Sequence, residues 1–177
     1  MAFEDYTTFT KVDASGLFTV SENQIIVSGL YDVQWGDDRI YKDYGTNHFS
    51  GNFTHQFKYS ADETIGDAGY LCLYYISNSS SGPNYAEDGS GISIVCIYNE
   101  IGNYISVDFW PNDEFFEFDP LPTGSELYVT FQRTGSKYDA YVRYDNHTST
   151  PIISGTYTDS VVTPFKYIYG AAGFKGF

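Results

Sequence analysis

Apolar and polar residues alternate with a period of two along much of this chain, most clearly between residues 49 and 59. One set of alternate positions is mainly aromatic and the other is polar: Phe49, Gly51, Phe53, His55, Phe57 and Tyr59 against Ser50, Asn52, Thr54, Gln56 and Lys58. Because successive side chains of a β-strand point to opposite faces, the alternation predicts a long strand with one face on a core.

Short segments of similar character, separated by turn residues, cover the rest of the chain. They predict strands at residues 6–12, 17–20, 24–28, 39–43, 69–77, 91–98, 104–110, 113–118, 126–133, 137–144, 152–158 and 165–169. One helical turn is predicted within residues 60–67. Segments 69–77 and 91–98 are apolar at both sets of positions, which is typical of central strands covered on both faces.

The succession of short strands predicts an all-β fold, a two-sheet antiparallel jelly-roll sandwich. A chain of 177 residues can bury a sizeable core as one unit. Since neither an internal repeat nor a linker interrupts the pattern, we expect a single domain spanning residues 1–177. On the long strand, His55 lies between Phe53 and Phe57, so it is expected to be a buried, hydrogen-bonded structural residue.

Charge and hydropathy argue against two classes of partner. The formal net charge is −14 and there are nine Lys and Arg residues, scattered along the chain. Nucleic acids and anionic membranes need clustered basic residues, so neither is an expected partner. Membrane insertion is not expected either, because no apolar run approaches the roughly 20 residues of a spanning helix. The first ten residues lack the regions of a signal peptide, so export would need another route, a larger assembly or a removed leader.

The chain has two cysteines, and each lies inside an apolar segment: Cys72 between two leucines and Cys96 between Val95 and Ile97. Buried free thiols are the favoured interpretation and a cross-strand disulfide is the alternative.

Aromatic residues beside acids form the main candidate binding site. Sugar rings stack on exposed aromatic side chains, while carboxylates and amides bond the hydroxyl groups. The alternation of segment 104–110 assigns Trp110, Tyr104 and Asp108 to the face opposite the apolar one. A site for a neutral sugar is therefore predicted from Trp35, Trp110, Tyr104, Asp108, Asp113 and Glu114.

Three further chemistries have partial signals in the sequence. Glu117 and Asp119 lie on one face of a strand, as a glycosidase pair would, but Pro120, Leu121 and Pro122 follow where a third acid would be expected. A polysaccharide lyase would need Arg-rich companions that the chain lacks. A structural calcium ion would be the only cofactor, with Asp37 and Asp38 as candidate ligands and Asp113 and Glu114 as the alternative pair.

A resemblance adds to this interpretation. The stretch Tyr41-Lys42-Asp43, Gly45, His48-Phe49, Gly51-Asn52-Phe53 and His55 resembles a pattern in concanavalin A-like, laminin-G-like domains of phage and environmental prokaryotic proteins. Residues 5–13, 165–169 and 173–174 are similar to the first and last strands of that group. The resemblance implies a concanavalin A-like jelly roll and a place in a virion or outside the cell.

These observations favour a non-catalytic module that recognises a neutral glycan or cell-surface polysaccharide, carried on a phage virion or an extracellular assembly. A self-assembling virion, tail or filament subunit is the first alternative, since edge strands can pair with neighbouring copies in a homo-oligomer. A glycoside hydrolase or polysaccharide lyase is the second.

Overall fold

The structure is a computed structural model that describes residues 4–28, 38–46, 48–60, 70–78, 91–99, 102–110, 114–118, 126–159 and 164–174. In these ranges the chain forms a short 3-10 helix, Tyr6–Thr8, and a series of strands. The strands are β1 Thr10–Val12, β2 Phe18–Val20, β3 Ile25–Val27, β4 Asp38–Asp43, β5 Phe53–Ser60, β6 Tyr70–Ser77, β7 Gly91–Asn99, β8 Gly102–Trp110, β9 Glu114–Phe118, β10 Glu126–Thr134, β11 Lys137–Arg143, β12 Ile153–Thr158 and β13 Tyr167–Phe174. No helix in the described ranges is long and apolar enough to cross a membrane.

Two antiparallel sheets make the sandwich. The large sheet has the order β1-β4-β13-β6-β7-β8-β9, and the small sheet has the order β12-β11-β10-β5. Strands β2 and β3 form a separate hairpin. The all-β, two-sheet jelly-roll prediction is confirmed.

The core lies between the two sheets and is built from alternate positions of their strands. In β10, for example, Leu127, Val129 and Phe131 are completely buried. The core cluster also includes residues of the N-terminal segment and of most other strands: Phe9, Leu17, Phe18, Ile40, Phe49, Phe57, Tyr74, Ile76, Ile92, Ile94, Ile105, Val107, Phe109, Tyr138, Ala140, Val142, Ile153, Phe165 and Ile168.

Strand β5 is an edge of the small sheet and shows the predicted alternation. Its aromatic positions are buried or half-buried, while Thr54, Gln56 and Lys58 are exposed. The ring of Phe57 lies 4.2 Å from that of Tyr74 in the large sheet and 5.4 Å from that of Phe131 in β10, centroid to centroid. These contacts join the edge of one sheet to the middle of the other.

The N-terminal strand is shorter than predicted. The sequence predicts a strand over residues 6–12, but β1 starts at Thr10 and a 3-10 turn precedes it. Asp5 caps this turn, because its carboxylate accepts hydrogen bonds from the backbone N–H of Thr7 at 3.0 Å and from the Thr7 hydroxyl at 2.6 Å. Such local side-chain bonds compete with the strand ladder for the backbone. Most of the helical turn predicted within residues 60–67 lies outside the described residues.

A polar network crosses the apolar core beneath the N-terminal segment. The imidazole Nε2 of His55 lies 2.9 Å from the hydroxyl of Tyr74, and the two rings are nearly parallel. Nearby, Lys42 donates to Glu4 with an Nζ–Oε1 distance of 2.8 Å. His55 is hydrogen-bonded, as the sequence predicts, but it is half-buried and not fully buried.

On the face of the large sheet that points away from the core, strands β6 and β7 approach each other closely. The ring of Tyr75, on β6, lies against Gly91, the first residue of β7. A Cβ atom at position 91 would lie 2.5 Å from the backbone carbonyl oxygen of Ile76 and would overlap the Tyr75 ring. Because a backbone atom cannot swing aside as a flexible side chain can, only glycine fits here.

We expect Gly91→Ala to destabilise the protein by about 1–3 kcal/mol, the usual cost of forcing extra atoms into a packed site. Gly51→Ala is the matched control, because a Cβ there meets nothing within 4 Å. Denaturant unfolding of both variants measures the difference. Equal stability of the two variants would contradict the packing of Tyr75 on Gly91.

We expect His55 to make the protein sensitive to acid. Burial lowers the pKa of His55 from 6.5 to about 4, against an opposing effect of Glu4. Between those values the unfolded chain binds more protons than the folded one, so this contribution is present above pH 6.5 and is lost towards pH 4. The loss is at most of the order of 3 kcal/mol.

Urea unfolding of wild type and His55→Gln, near neutral pH and below pH 5, isolates this contribution from that of the carboxylates. The variant should lose less stability on acidification than wild type does. His48→Gln is the control, because His48 is exposed in the turn before β5. The same pH dependence in wild type and His55→Gln would show that His55 is not held neutral by the fold.

Candidate functional site: the outer face of the large sheet

Strand β8 separates the core from a polar outer face. Ile105, Val107 and Phe109 are at most 1% exposed and face the small sheet. Ser106 and Asp108 alternate with them and lie on the other face. Positions 104 and 110 have the same parity as 108, so the backbone of β8 places Tyr104 and Trp110 on the face of Asp108.

The strand register extends this face across the large sheet. Asp108 pairs with Ser93 of β7, and Ser93 pairs with Tyr75 of β6. Tyr75 pairs with Tyr169 of β13, which pairs with Tyr41 of β4. Directly paired residues share a face. We call this set, Tyr41, Tyr169, Tyr75, Ser93 and Asp108, the outer row.

Asp108 is held in place by hydroxyl groups. Its carboxylate accepts a short hydrogen bond from the Ser106 hydroxyl and a longer one, 3.5 Å, from the Ser93 hydroxyl. Both serines are almost completely buried, whereas Asp108 is half-buried. The carboxylate is therefore a hydrogen-bond acceptor with a fixed orientation at one end of the outer row.

Two tyrosines form the middle of the outer row. Tyr75 and Tyr169 are at most 1% exposed but do not belong to the core cluster between the sheets. Burial raises the pKa of Tyr75, and it raises the pKa of Tyr169 to about 12 although the charge of Arg39 lowers it. Both hydroxyls are therefore protonated at neutral pH. The Tyr169 hydroxyl is buried and has no hydrogen-bond partner among the described residues.

The structure describes some of the predicted sugar-site residues and places them on different faces of the sheet. Asp108 is on the outer row with its side chain described, and Tyr104 and Trp110 lie on its face through the backbone of β8. Glu114 begins β9 and pairs with Phe109, so its register position belongs to the core side and not to the face of Asp108. Trp35 and Asp113 lie outside the described residues.

The predicted calcium site is not supported by the residues that are described. Asp38 is completely buried at the start of β4, where its carboxylate accepts a 3.0 Å hydrogen bond from the backbone N–H of Ser15. Asp37 lies outside the described residues. Within the described part of the chain, no group of His, Cys, Asp and Glu residues could hold a metal ion. Asp38 alone supplies far fewer than the about six to eight oxygens that Ca²⁺ takes.

Sequence patterns did not reveal the middle of the outer row. Segments 69–77 and 91–98 are apolar at both sets of positions, which hides Tyr75 and Ser93 among residues that resemble core. Tyr169 lies near the end of the chain and joins the row because β13 inserts between β4 and β6. The available signal was a residue with a hydroxyl group, Tyr75 or Ser93, inside each of the two mainly apolar segments.

Comparisons with known proteins bear on the fold alone. No protein-family model matches the chain. No curated protein sequence matches it either.

Solved structures do match over nearly the whole chain, all at low sequence identity. The CBM2 module of the evolved Dit protein of Lactobacillus casei BL23 phage J-1 is 14% identical with a TM-score of 0.62, covering 99% of this chain and 79% of that one. The metal-free exoplasmic/lumenal domain of VIP36 is 11% identical with a TM-score of 0.57, covering 98% and 84%. The carbohydrate-binding module CBM66 of Bacillus subtilis is 12% identical with a TM-score of 0.54, covering 99% and 97%. The sheets described above and these similarities together show that the chain has the concanavalin A-like jelly-roll fold.

Proposed function

We propose that this domain is a non-catalytic recognition module that binds a neutral glycan or cell-surface polysaccharide on the outer face of its large sheet. The observation that carries the proposal is Asp108. It lies on the outer row, opposite a fully buried apolar face, and its carboxylate accepts a short hydrogen bond from the buried Ser106 hydroxyl and a long one from Ser93. An acceptor that is held in advance of binding costs less to order when a ligand arrives.

The chemistry of this face suits an uncharged sugar. Carboxylate oxygens accept hydrogen bonds from sugar hydroxyls, and aromatic rings stack on the apolar faces of sugar rings. Tyr41 is half-buried at the far end of the outer row, and Trp110 is two positions from Asp108 on β8. The net charge of −14 opposes polyanionic glycans.

Tyr75, Ser93 and Tyr169, in the middle of the outer row, are at most 1% exposed, so a ligand would contact the half-buried ends of the row, Asp108 and Tyr41. Strands β8, β7, β6, β13 and β4 are neighbours in the sheet. With neighbouring strands about 4.8 Å apart, the row from Asp108 to Tyr41 spans about 19 Å.

The comparisons support the same class of ligand and setting. Two of the similar structures are described as carbohydrate-binding modules, one of them from a phage protein. The VIP36 domain has also been solved in a form with Ca²⁺ and Man2 bound. By analogy, the domain would act on a phage virion or an extracellular assembly. A structural calcium ion would then need ligands from residues outside the described ranges.

We expect Asp108→Asn and Trp110→Ala each to weaken glycan binding while the fold is retained. Losing a hydrogen bond to a charged group costs about 1.5–3 kcal/mol, so Asp108→Asn should lower the affinity by about tenfold to a hundredfold. A glycan array that includes mannobiose and longer neutral oligosaccharides would identify the probe, and titration calorimetry would measure its affinity. Tyr128→Ala is the control, because Tyr128 lies on the outer face of the small sheet, beside His147.

Three outcomes would contradict this proposal. If Trp110→Ala unfolds the domain, Trp110 is a core residue. If Tyr128→Ala weakens binding as much as Asp108→Asn, the glycan binds the small sheet. If no neutral glycan binds, and size exclusion shows oligomers that Trp110→Ala disrupts, the self-assembling structural role is favoured instead.

A second candidate function rests on one further observation. Glu117 of β9 pairs with Ser106, so its position shares the face of Asp108 on a neighbouring strand. Residues related in this diagonal way have Cα atoms about 7–8 Å apart, a backbone spacing compatible with the about 6.5–9.5 Å between the carboxyls of inverting glycosidases. Hydrolysis would then use Asp108 and Glu117 as acid and base.

If this second function is correct, the domain should release reducing ends from a neutral polysaccharide such as laminarin or mannan. Glu117→Gln and Asp108→Asn should each abolish the release, and Tyr128→Ala should leave it unchanged. Binding without any release of reducing ends would exclude hydrolysis of the polysaccharides tested and favour the recognition module.

A further inference from the structure

The two cysteines of the chain lie directly opposite each other in the large sheet. Cys72 of β6 pairs with Cys96 of β7 in an unbroken antiparallel register that runs from Tyr70↔Tyr98 to Ser77↔Gly91. The Cα atoms of such partners are about 4.5 or 5.5 Å apart, depending on the hydrogen-bonding type of the pair. Both values fall within the about 4.4–6.8 Å that a disulfide bond spans.

The positions of the two cysteines also agree in face. Tyr74 and Ile76 of β6 and Ile92 and Ile94 of β7 belong to the core between the sheets. Position 72 has the parity of 74 and 76, and position 96 has the parity of 92 and 94. Both cysteines therefore occupy core-side positions on adjacent strands. Since the sequence contains two cysteines, neither has another intramolecular partner.

We propose that Cys72 and Cys96 form a cross-strand disulfide when the protein is in an oxidising environment. The reaction needs an oxidant, for which a small-molecule disulfide such as oxidised glutathione suffices. The thiolate of one cysteine attacks a glutathione sulfur and releases one glutathione thiol, and the second cysteine then attacks the mixed disulfide and releases the other. Two protein thiols are oxidised and one glutathione disulfide is reduced to two thiols.

The bond would cross-link β6 and β7 in the middle of the sheet that carries the outer row. Strands β6 and β7 hold Tyr75 and Ser93, which are register partners three residues from the cysteines. The bond closes a loop through residues 73–95 and so restricts the unfolded chain more than the folded one. Because β6 and β7 are already paired, oxidation would stabilise the sheet without changing its strand order.

The test uses the full chain, incubated with oxidised glutathione and then unfolded and treated with iodoacetamide, with and without prior reduction. Intact mass should show no alkyl groups before reduction and two after it. Peptide mapping should show one linked pair of peptides containing residues 72 and 96. Reduction should lower the Tm by about 5–10 °C, from the usual stabilisation by a disulfide in a domain of this size.

The double variant Cys72→Ala/Cys96→Ala is the matched control, and its Tm should not respond to reductant. Two alkyl groups taken up before reduction would overturn the proposal, since the thiols would then be free after oxidation. A disulfide-linked dimer in place of the intramolecular link would overturn it as well. If the double variant fails to fold, the alkylation and peptide results on wild type still decide the question.

Discussion

The register of β6 is the constraint on which both faces of the large sheet depend. Tyr74 points into the core, where it contacts Phe57 and is hydrogen-bonded to His55. The next residue, Tyr75, points to the outer face and packs on Gly91. A slip of one residue would exchange the two faces. It would place a tyrosine that needs Gly91 against the small sheet and would also separate Cys72 from Cys96.

The two faces of β6 use buried polar atoms in different ways. On the core side, the hydroxyl of Tyr74 is hydrogen-bonded to His55, so a buried polar group is satisfied. On the outer side, the Tyr169 hydroxyl lacks a hydrogen-bond partner in the described part of the chain, and Asp108 is fixed by serines. The first arrangement stabilises the fold. The second holds the carboxylate of Asp108, a half-buried acceptor, on the outer face of the large sheet.

Alternation along the sequence predicted the strands and their faces. It could not predict which strands pair across the sheet, because that depends on residues far apart in the chain. The strands that contain Phe57 and Phe109 were predicted with the correct faces, since a period of two is a local property. The turn at Tyr6 was missed, because Asp5 redirects the backbone by hydrogen bonds that a strand propensity ignores. The outer row could not be predicted, because it depends on β13 lying between β4 and β6. Neither the sugar-site prediction at Trp35 nor the calcium prediction at Asp37 falls on residues that the structure describes.

Chemical-shift mapping of backbone amides during titration with the tightest neutral oligosaccharide from the array would locate the ligand on one sheet or the other. We expect the largest shifts on β8 and β7, at Asp108 and Ser93, extending along the outer row to Tyr169 on β13. Thr130 and Tyr141, on the outer face of the small sheet, should change little. Shifts concentrated on β10 and β11, with β7 and β8 unaffected, would contradict the assignment of the ligand face.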